Sequence, residues 1–392
     1  MAFRNKLACC IAIAIAGTQT ASADDATSNM FSVSGYGTLG LVHSSEDKAD
    51  FIPLVGPTVG VGHSDSTSAR TDTRAAVQID AKFNDRFSAV AQFVSELDEN
   101  NTYDPRLAVA NLKYQATPGL TFTLGRFIAP FYMLTDFQRT GYAFPWVRPP
   151  AEVYNLAFST DGIMGTYKFN AGSAAVTTQL FYAHGSTNTF DVDGMAGVTA
   201  QADIGASTFR VAYMHSSLTI KSAGLDGALA YYRPMFDKLA DQWAVRGDST
   251  SFTGVGYAYD PGQWFFRAEA TRTTGERDFL AKTTRMYASG GVRLGAFTPY
   301  VTLAKVKNDG PLSIGSEDPI GVINAVLSGN DGSHHSFTVG NRWDFHSNLD
   351  FKVEFSHVKN GSGSAGELSN VQPGFVPGKA YNLVSATVDF VF

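Results

Sequence analysis

Cysteine is almost missing from this 392-residue chain: there are two, Cys9 and Cys10, both at the very N-terminus. If that segment is removed on export, the remainder can form no disulfide framework, thiolate metal site or cysteine nucleophile. Long apolar runs are missing too. Beyond the N-terminus no stretch approaches the roughly 18–20 consecutive apolar residues that a membrane-spanning helix needs. Charge is sparse at 17%, and basic residues are outnumbered, 30 against 36 acidic. That balance excludes wholesale nucleic-acid binding. What is present is 38 Gly, 29 Phe and 16 Tyr with only 15 Pro, a mixture suited to many short strands joined by turns.

The first residues have the layout of an export signal. Arg4 and Lys6 form a basic start, Leu7 to Ala16 an apolar run, and Ala21-Ser22-Ala23 a small-residue cleavage site. The apolar run is too short to span a bilayer, so residues 1–23 are set aside as a cleaved signal peptide and 24–392 are read as one domain. A lipoprotein signal at Leu7-Ala8-Cys9-Cys10 is the alternative, but no apolar run precedes those cysteines. Losing Arg4 and Lys6 takes the formal net charge from −6 to −8.

A mature chain without an apolar helix is either soluble or crosses a membrane as a closed barrel, because in hydrocarbon every backbone N–H and C=O must be paired internally. Alternation along the chain decides between them. Leu349, Phe351, Val353 and Phe355 point one way, while Asp350, Lys352, Glu354 and Ser356 point the other. Val384, Ala386, Val388, Phe390 and Phe392 oppose Ser385, Thr387 and Asp389; Ala75, Val77, Ile79, Ala81 and Phe83 oppose Arg74, Gln78, Asp80 and Lys82. Period-2 patterning of this kind specifies half-buried strands.

Three features separate a membrane barrel from a soluble sandwich. The polar face carries full charges in strand after strand (Arg210, Arg267, Glu269, Arg285, Arg293, Arg342), and the apolar face almost none. A Lys or Arg on a lipid face at mid-bilayer costs roughly 2–4 kcal/mol. Connections alternate in length. Short turns fall at Asn84-Asp85-Arg86, Thr117-Pro118-Gly119, Asn170-Ala171-Gly172, Gly205, Asp260-Pro261-Gly262, Gly295-Ala296 and His346-Ser347-Asn348. Longer connections fall at 43–71, 98–105, 127–160, 185–198, 219–248, 274–282, 308–332 and 360–378. Aromatic residues gather beside the short turns (Phe83, Phe87, Tyr114, Phe169, Tyr259, Trp264, Phe297, Phe345), as in an interfacial girdle.

The expectation is an all-β transmembrane antiparallel barrel of sixteen strands, with short periplasmic turns and long outer loops. Its first strand, Phe31 to Val42, and its last, Lys379 to Phe392, would close the sheet. One residue breaks phase: Arg126 aligns with the outward Leu120, Phe122 and Leu124, which a bulge or an early loop start would reconcile.

With these strands placed, the chain resembles the Gram-negative general porins, sixteen-stranded trimeric barrels ending in phenylalanine, as here at Phe392. The sharpest local matches, to a group of proteobacterial porins, are SGYGTLGLVHSSEDKADF at Ser34 to Phe51 and GYAFPWVRPPAEVY at Gly141 to Tyr154. The Pro-Glu-Phe-Gly-Gly type signature of the well-known trimeric porins is absent. The resemblance implies an outer-membrane location, a homotrimer, contact with outer-membrane lipid, and assembly machinery that reads the terminal strand. It also implies a third outer loop, here 127–160, that folds inward and narrows the pore. In that family acidic groups on the loop face a basic cluster on the wall. Asp136 and Glu152 would supply the acid; Arg74, Lys82 and Lys113 would supply the base. Arg267, Arg285, Arg293 and Arg342 join them as pore-lining candidates, and their excess over lumen acids suggests an anion lean.

Other patterns have blander readings. Gly35-Tyr36-Gly37-Thr38-Leu39-Gly40 matches a dinucleotide fingerprint, but it lies inside a strand rather than before a helix, so its glycines serve close packing or twist. Tyr232, Met235, Phe236, Leu239 and Trp243 recur at helical spacing, which places a short helix in loop 219–248. Asp191, Asp193 and Gly194 lack the full ligand ladder of a calcium loop. His334 and His335 are adjacent and point to opposite faces, a poor metal pair.

The function that follows is a water-filled channel for passive diffusion of small polar solutes and ions, needing no cofactor and performing no catalysis. A surface-binding or adhesin barrel is the alternative. An outer-membrane lipid hydrolase would need an activated serine; no GxSxG occurs, and His357 with nearby serines is the one candidate.

Overall fold

The computed structural model describes residues 30–156, 158–221, 223–234, 237, 244–276, 282–310, 313, 315–318, 321, 323–324 and 331–392. Sixteen long strands form the wall: β1 (Phe31–Ser44), β2 (Arg74–Lys82), β3 (Phe87–Glu96), β4 (Arg106–Gln115), β5 (Leu120–Phe127), β6 (Thr160–Ala171), β7 (Ala174–Ser186), β8 (Phe190–Ile204), β9 (Ser207–Ile220), β10 (Asp248–Tyr259), β11 (Trp264–Gly275), β12 (Thr283–Val292), β13 (Phe297–Asn308), β14 (His334–His346), β15 (Leu349–Asn360) and β16 (Ala380–Val391). Each pairs antiparallel with its chain neighbours, and β1 pairs with β16 from Tyr36↔Val391 to Ser44↔Leu383. The barrel is therefore closed and has no free edge. Among the described residues no helix is long and apolar enough to cross a membrane.

Alternation holds as the sequence implies. On β16 Ser385, Thr387 and Asp389 are buried inside while Val384 is exposed outside; on β15 Asp350, Lys352 and Glu354 are buried opposite exposed Val353 and Phe355. All seven short turns lie where the turn residues place them, including the one at Gly205, whose φ of +57 suits glycine.

The closing seam explains the glycine-rich segment. Tyr36 and Thr38 are buried inward, and the outward Gly35 and Gly37 lie under the rings of Phe392 and Phe390. A Cβ on Gly35 would sit 2.3 Å from Phe392 Cζ and 2.6 Å from the Ala76 carbonyl oxygen of β2. The ring could swing away, but the backbone could not. Gly35→Val is expected to lower barrel stability by about 1–3 kcal/mol, read as a lower temperature for the heat-induced gel shift of the folded band.

Two expectations need correction. The segment 185–198 is not a long loop: β7 and β8 run through it to a three-residue connection at 187–189, with register shifts between Ala183 and Gly185 and between Asp193 and Ala196. Above the apolar band both faces of a hairpin are wet, so the polar/apolar alternation fades while backbone pairing continues. Asp191 there belongs to β8 and holds Lys221 at 2.6 Å. Arg126 needs neither bulge nor loop. It sits in β5 in register with Ala110 and Asp161, facing outward, and donates to both Asp161 carboxylate oxygens at 2.9 and 2.7 Å.

The connection between β9 and β10 carries helix α1 (Ala223–Tyr232), whose buried Tyr232 donates to Asp318 of the connection between β13 and β14. Met235, Phe236, Leu239 and Trp243 lie outside the described residues.

Candidate functional site

The interior is not an open tube. Residues 128–159, between β5 and β6, carry Phe131, Tyr132, Leu134, Phe144, Trp146, Val153 and Tyr154 into one apolar cluster with Phe252, Phe265, Tyr287 and Tyr300 of β10–β13. A charged inner wall cannot hold such a loop by apolar contact alone, so polar groups do much of the fixing. Trp146 Nε1 donates to Ser289 at 2.9 Å, and Arg267 lies 5.5 Å from the Trp146 ring. Glu269 accepts from the Met133 amide at 2.9 Å and from the Tyr154 hydroxyl. Burial holds the Tyr154 phenol well above its ordinary pKa, and Glu269 beside it adds to that, so it stays a donor.

The loop's tip, Gly141 to Arg148, is gripped by the last strands and by the first outer connection. Arg342 donates to the carbonyls of Tyr142 (2.6 Å) and Phe144 (3.0 Å) and pairs with Asp344 and Asp350. Lys352 Nζ lies 2.6 Å from the Gly141 carbonyl, 2.9 Å from Asp389 and 3.4 Å from Asp350. Arg148 makes a two-pronged pair with Asp72, and reaches Ser385 at 2.8 Å.

The nine residues singled out from the sequence fall in five settings. Arg267, Arg285 and Arg342 stand on the inner wall in contact with the loop; Arg285 donates to the Glu152 carbonyl at 2.9 Å and pairs with Glu367 at 2.5 Å. Glu152 itself turns to the wall, accepting from Ser336 with His334 at 3.9 Å. Lys82, Lys113 and Asp136 line one cavity of about 730 Å³ on the β2–β9 side. Arg74 stands opposite Glu96 in the β2–β3 register. Arg293 lies past the end of β12 in the turn at 293–296 and clamps Asp260 at 2.7 Å; its hydrogen bonds hold that carboxyl below the usual range.

Several contributors were not singled out. Lys168 and Arg210 share the cavity with Lys113. Glu96 gathers Arg106 and Arg139, the latter at 2.9 Å, beside Arg74. Arg210 is one of the inward charges that the alternation shows, though not one of the nine; Lys168 was legible in principle, since it falls in lumen phase on its strand. The Arg139 and Arg148 contacts join positions 43 and 76 residues apart and carry no local signal. His357, the one candidate for an activated hydrolase, faces Asn382 at 2.8 Å rather than a serine. Among the described residues no group of three His, Cys, Asp or Glu could hold a metal.

A closed sixteen-strand barrel with one long loop folded against its inner wall is a channel architecture, and the sequence model of the Gram-negative porin family matches residues 8–369. The chain belongs to that family. No curated protein matches it by sequence. Among solved structures the porin is similar to the anion-selective porin from Comamonas acidovorans, with 14% identity, a TM-score of 0.57, and coverage of 92% of this chain and 100% of that one. It is also similar to the outer membrane channel DcaP of Acinetobacter baumannii (11%, 0.59, 95% and 100%) and to Salmonella typhi OmpF (15%, 0.51, 92% and 97%). At these identities the likeness shows the fold. The porin is an outer-membrane channel for passive diffusion.

Proposed function

We propose that this channel, exported with residues 1–23 as its cleaved signal and assembled as a homotrimer, passes small polar solutes with a preference for anions and performs no catalysis. The observation that carries the reading is the 730 Å³ cavity on the open side of the loop, where Lys82, Arg86, Lys113, Lys168 and Arg210 outnumber Asp80, Asp85 and Asp136. Low-dielectric walls focus the field of such an excess and raise the local concentration of anions. Threonines and glutamines around the same cavity (Thr121, Thr123, Thr166, Gln115, Gln179, Gln201) supply neutral donors and acceptors for hydrated solutes.

The loop at 128–159 sets the narrow zone. Arg267, Arg285 and Arg342 are spent there on holding it, so the conducting charge falls to the β2–β9 wall and to Asp136 on the loop. Trimeric assembly is supported by the family and by the likeness to OmpT of Vibrio cholerae, one solved form of which is described as a trimer (12% identity, TM-score 0.52).

The test is single-channel recording in a planar bilayer. Stepwise conductance with an anion-selective reversal potential is expected; folded insertion without conductance would leave the surface-binding reading instead. Arg74→Glu is expected to move the reversal potential towards cations. An unchanged value would remove Arg74 from the narrow zone.

A further inference from the structure

The first outer connection, between β1 and β2, folds inward and walls off a second cavity that conduction does not use. Within it Asp50–Phe51 pairs with Val61–Gly62, and Asp50 exchanges backbone hydrogen bonds with Ser369 at 2.8 and 2.9 Å. The Val55 amide donates to the Asn155 carbonyl of the inward loop at 2.8 Å, and Arg148 lies 5.4 Å from the Phe51 ring. Between this connection and the outer ends of β14–β16 lies a cavity of about 250 Å³. No residue lines both it and the 730 Å³ cavity.

The walls of this cavity divide by chemistry. Phe51, Ile52, Leu54, Val55 and Val358 make an apolar side. The other side is almost all acceptors. Glu152 uses one carboxylate oxygen for the Ser336 hydroxyl; the second has no hydrogen bond, and among the described residues no Lys or Arg pairs with the group. Asn155 spends its amide N–H on Glu367 at 3.2 Å, which leaves its side-chain oxygen without a partner. His334 Nδ1 lies 2.7 Å from the Gly332 carbonyl and so carries a proton; in the neutral ring Nε2 is an acceptor, 3.9 Å from Glu152. Tyr381 is only 5% exposed, yet its hydroxyl has no hydrogen-bond partner among the described residues. A buried phenol ordinarily finds a partner, and leaving one without costs stability.

A buried carboxylate that no cation balances, set among neutral acceptors, suits a group with positive charge and several N–H donors. A carboxylate solute would be repelled, and a hydrated metal ion would gain nothing from the apolar side. The volume falls below the roughly 300–1,000 Å³ of sites for drug-sized ligands, so the occupant is small. We propose that this cavity binds a small primary ammonium compound with an apolar body. Its ammonium group would sit at Glu152 and Tyr381, and its body against Phe51 and Val55. The site needs the folded barrel but neither conduction nor anion preference.

The full-length protein in dodecyl maltoside would be titrated calorimetrically with phenethylamine at about pH 8, where an alkylamine is protonated. Saturable binding at one site per chain is expected, with phenethyl alcohol and phenylpropionate at least about tenfold weaker. Glu152→Gln is expected to weaken phenethylamine binding about 10–100-fold by removing a charge-assisted hydrogen bond. Tyr381→Phe should weaken it about fivefold and still unfold at the parent's temperature, because that hydroxyl bonds to nothing in the protein. Asp136→Asn, which removes a carboxylate from the other cavity, should bind as the parent does. Absence of saturable binding, equal binding of phenethyl alcohol, or undiminished binding by Glu152→Gln would overturn the proposal. So would loss of binding in Asp136→Asn, which would place the amine in the conducting cavity. Should Glu152→Gln fail to fold, Tyr381→Phe carries the same test. Conductance of Tyr381→Phe in potassium chloride is expected to match the parent, which separates failure of this site from failure of the channel.

Discussion

Replacing Lys352 with methionine is expected to cost about 3–5 kcal/mol of barrel stability. Lys352 has no solvent exposure, and Asp350 and Asp389, the two carboxylates flanking its ammonium group, have none either. Asp389 accepts from Lys352 at 2.9 Å and also from Thr38 of β1, so the ammonium group joins β15, β16 and β1 at the closing seam. Its third contact, the Gly141 carbonyl, ties the inward loop to that seam. With the lysine gone, buried Asp389 is left without a cation, Asp350 keeps only Arg342, and the loop tip loses a donor.

The loss should appear as a lower temperature for heat-induced unfolding, by circular dichroism or by the gel shift of the folded band. Lys352→Met/Asp389→Asn should recover much of it, because Asp350 still has Arg342 at 3.2 Å. A single variant as stable as the parent would show that water or rearrangement neutralises the seam without Lys352.

The second large effect concerns selectivity. Lys113→Glu/Lys168→Glu is expected to invert the sign of the reversal potential in a tenfold potassium chloride gradient. Neither lysine has an ion-pair partner among the described residues, and both line the open cavity. The exchange turns a cavity rich in cationic groups into one rich in anionic groups. A swing of four unit charges inside low-dielectric walls should change the anion-to-cation permeability ratio on the order of tenfold or more. Arg126→Gln, which alters a charge outside the lumen, should leave the reversal potential in place. If the double variant also left it unchanged, conduction would be controlled elsewhere.

Much of this arrangement is legible in the sequence, and the reason is local. A strand residue on a barrel wall meets either lipid or the interior according to its parity, so Asp350, Lys352 and Glu354 announce their side by alternating with Leu349, Phe351 and Val353. Gly205 and Asp260-Pro261-Gly262 announce turns through their own backbone preferences. The rule weakened at 185–198, where both faces are wet and parity no longer has a solvent contrast to report.

The role of each inward charge was a different matter. Arg342 and Lys113 look alike in the alternation, yet one holds the carbonyls of Tyr142 and Phe144 while the other faces open water. Arg148 had no phase to read at all, and its place was set by Asp72 and by Ser385, 237 positions further along the chain.

The linear pattern thus decided which face most strands turn to water and how many times the wall reverses. Folding the loop at 128–159 inward decided which charges are consumed as anchors and which remain for solutes. A side chain's exposure to lipid or water depends on its immediate neighbours in one strand, whereas its counter-ion is chosen by whatever segment the closed barrel brings against it.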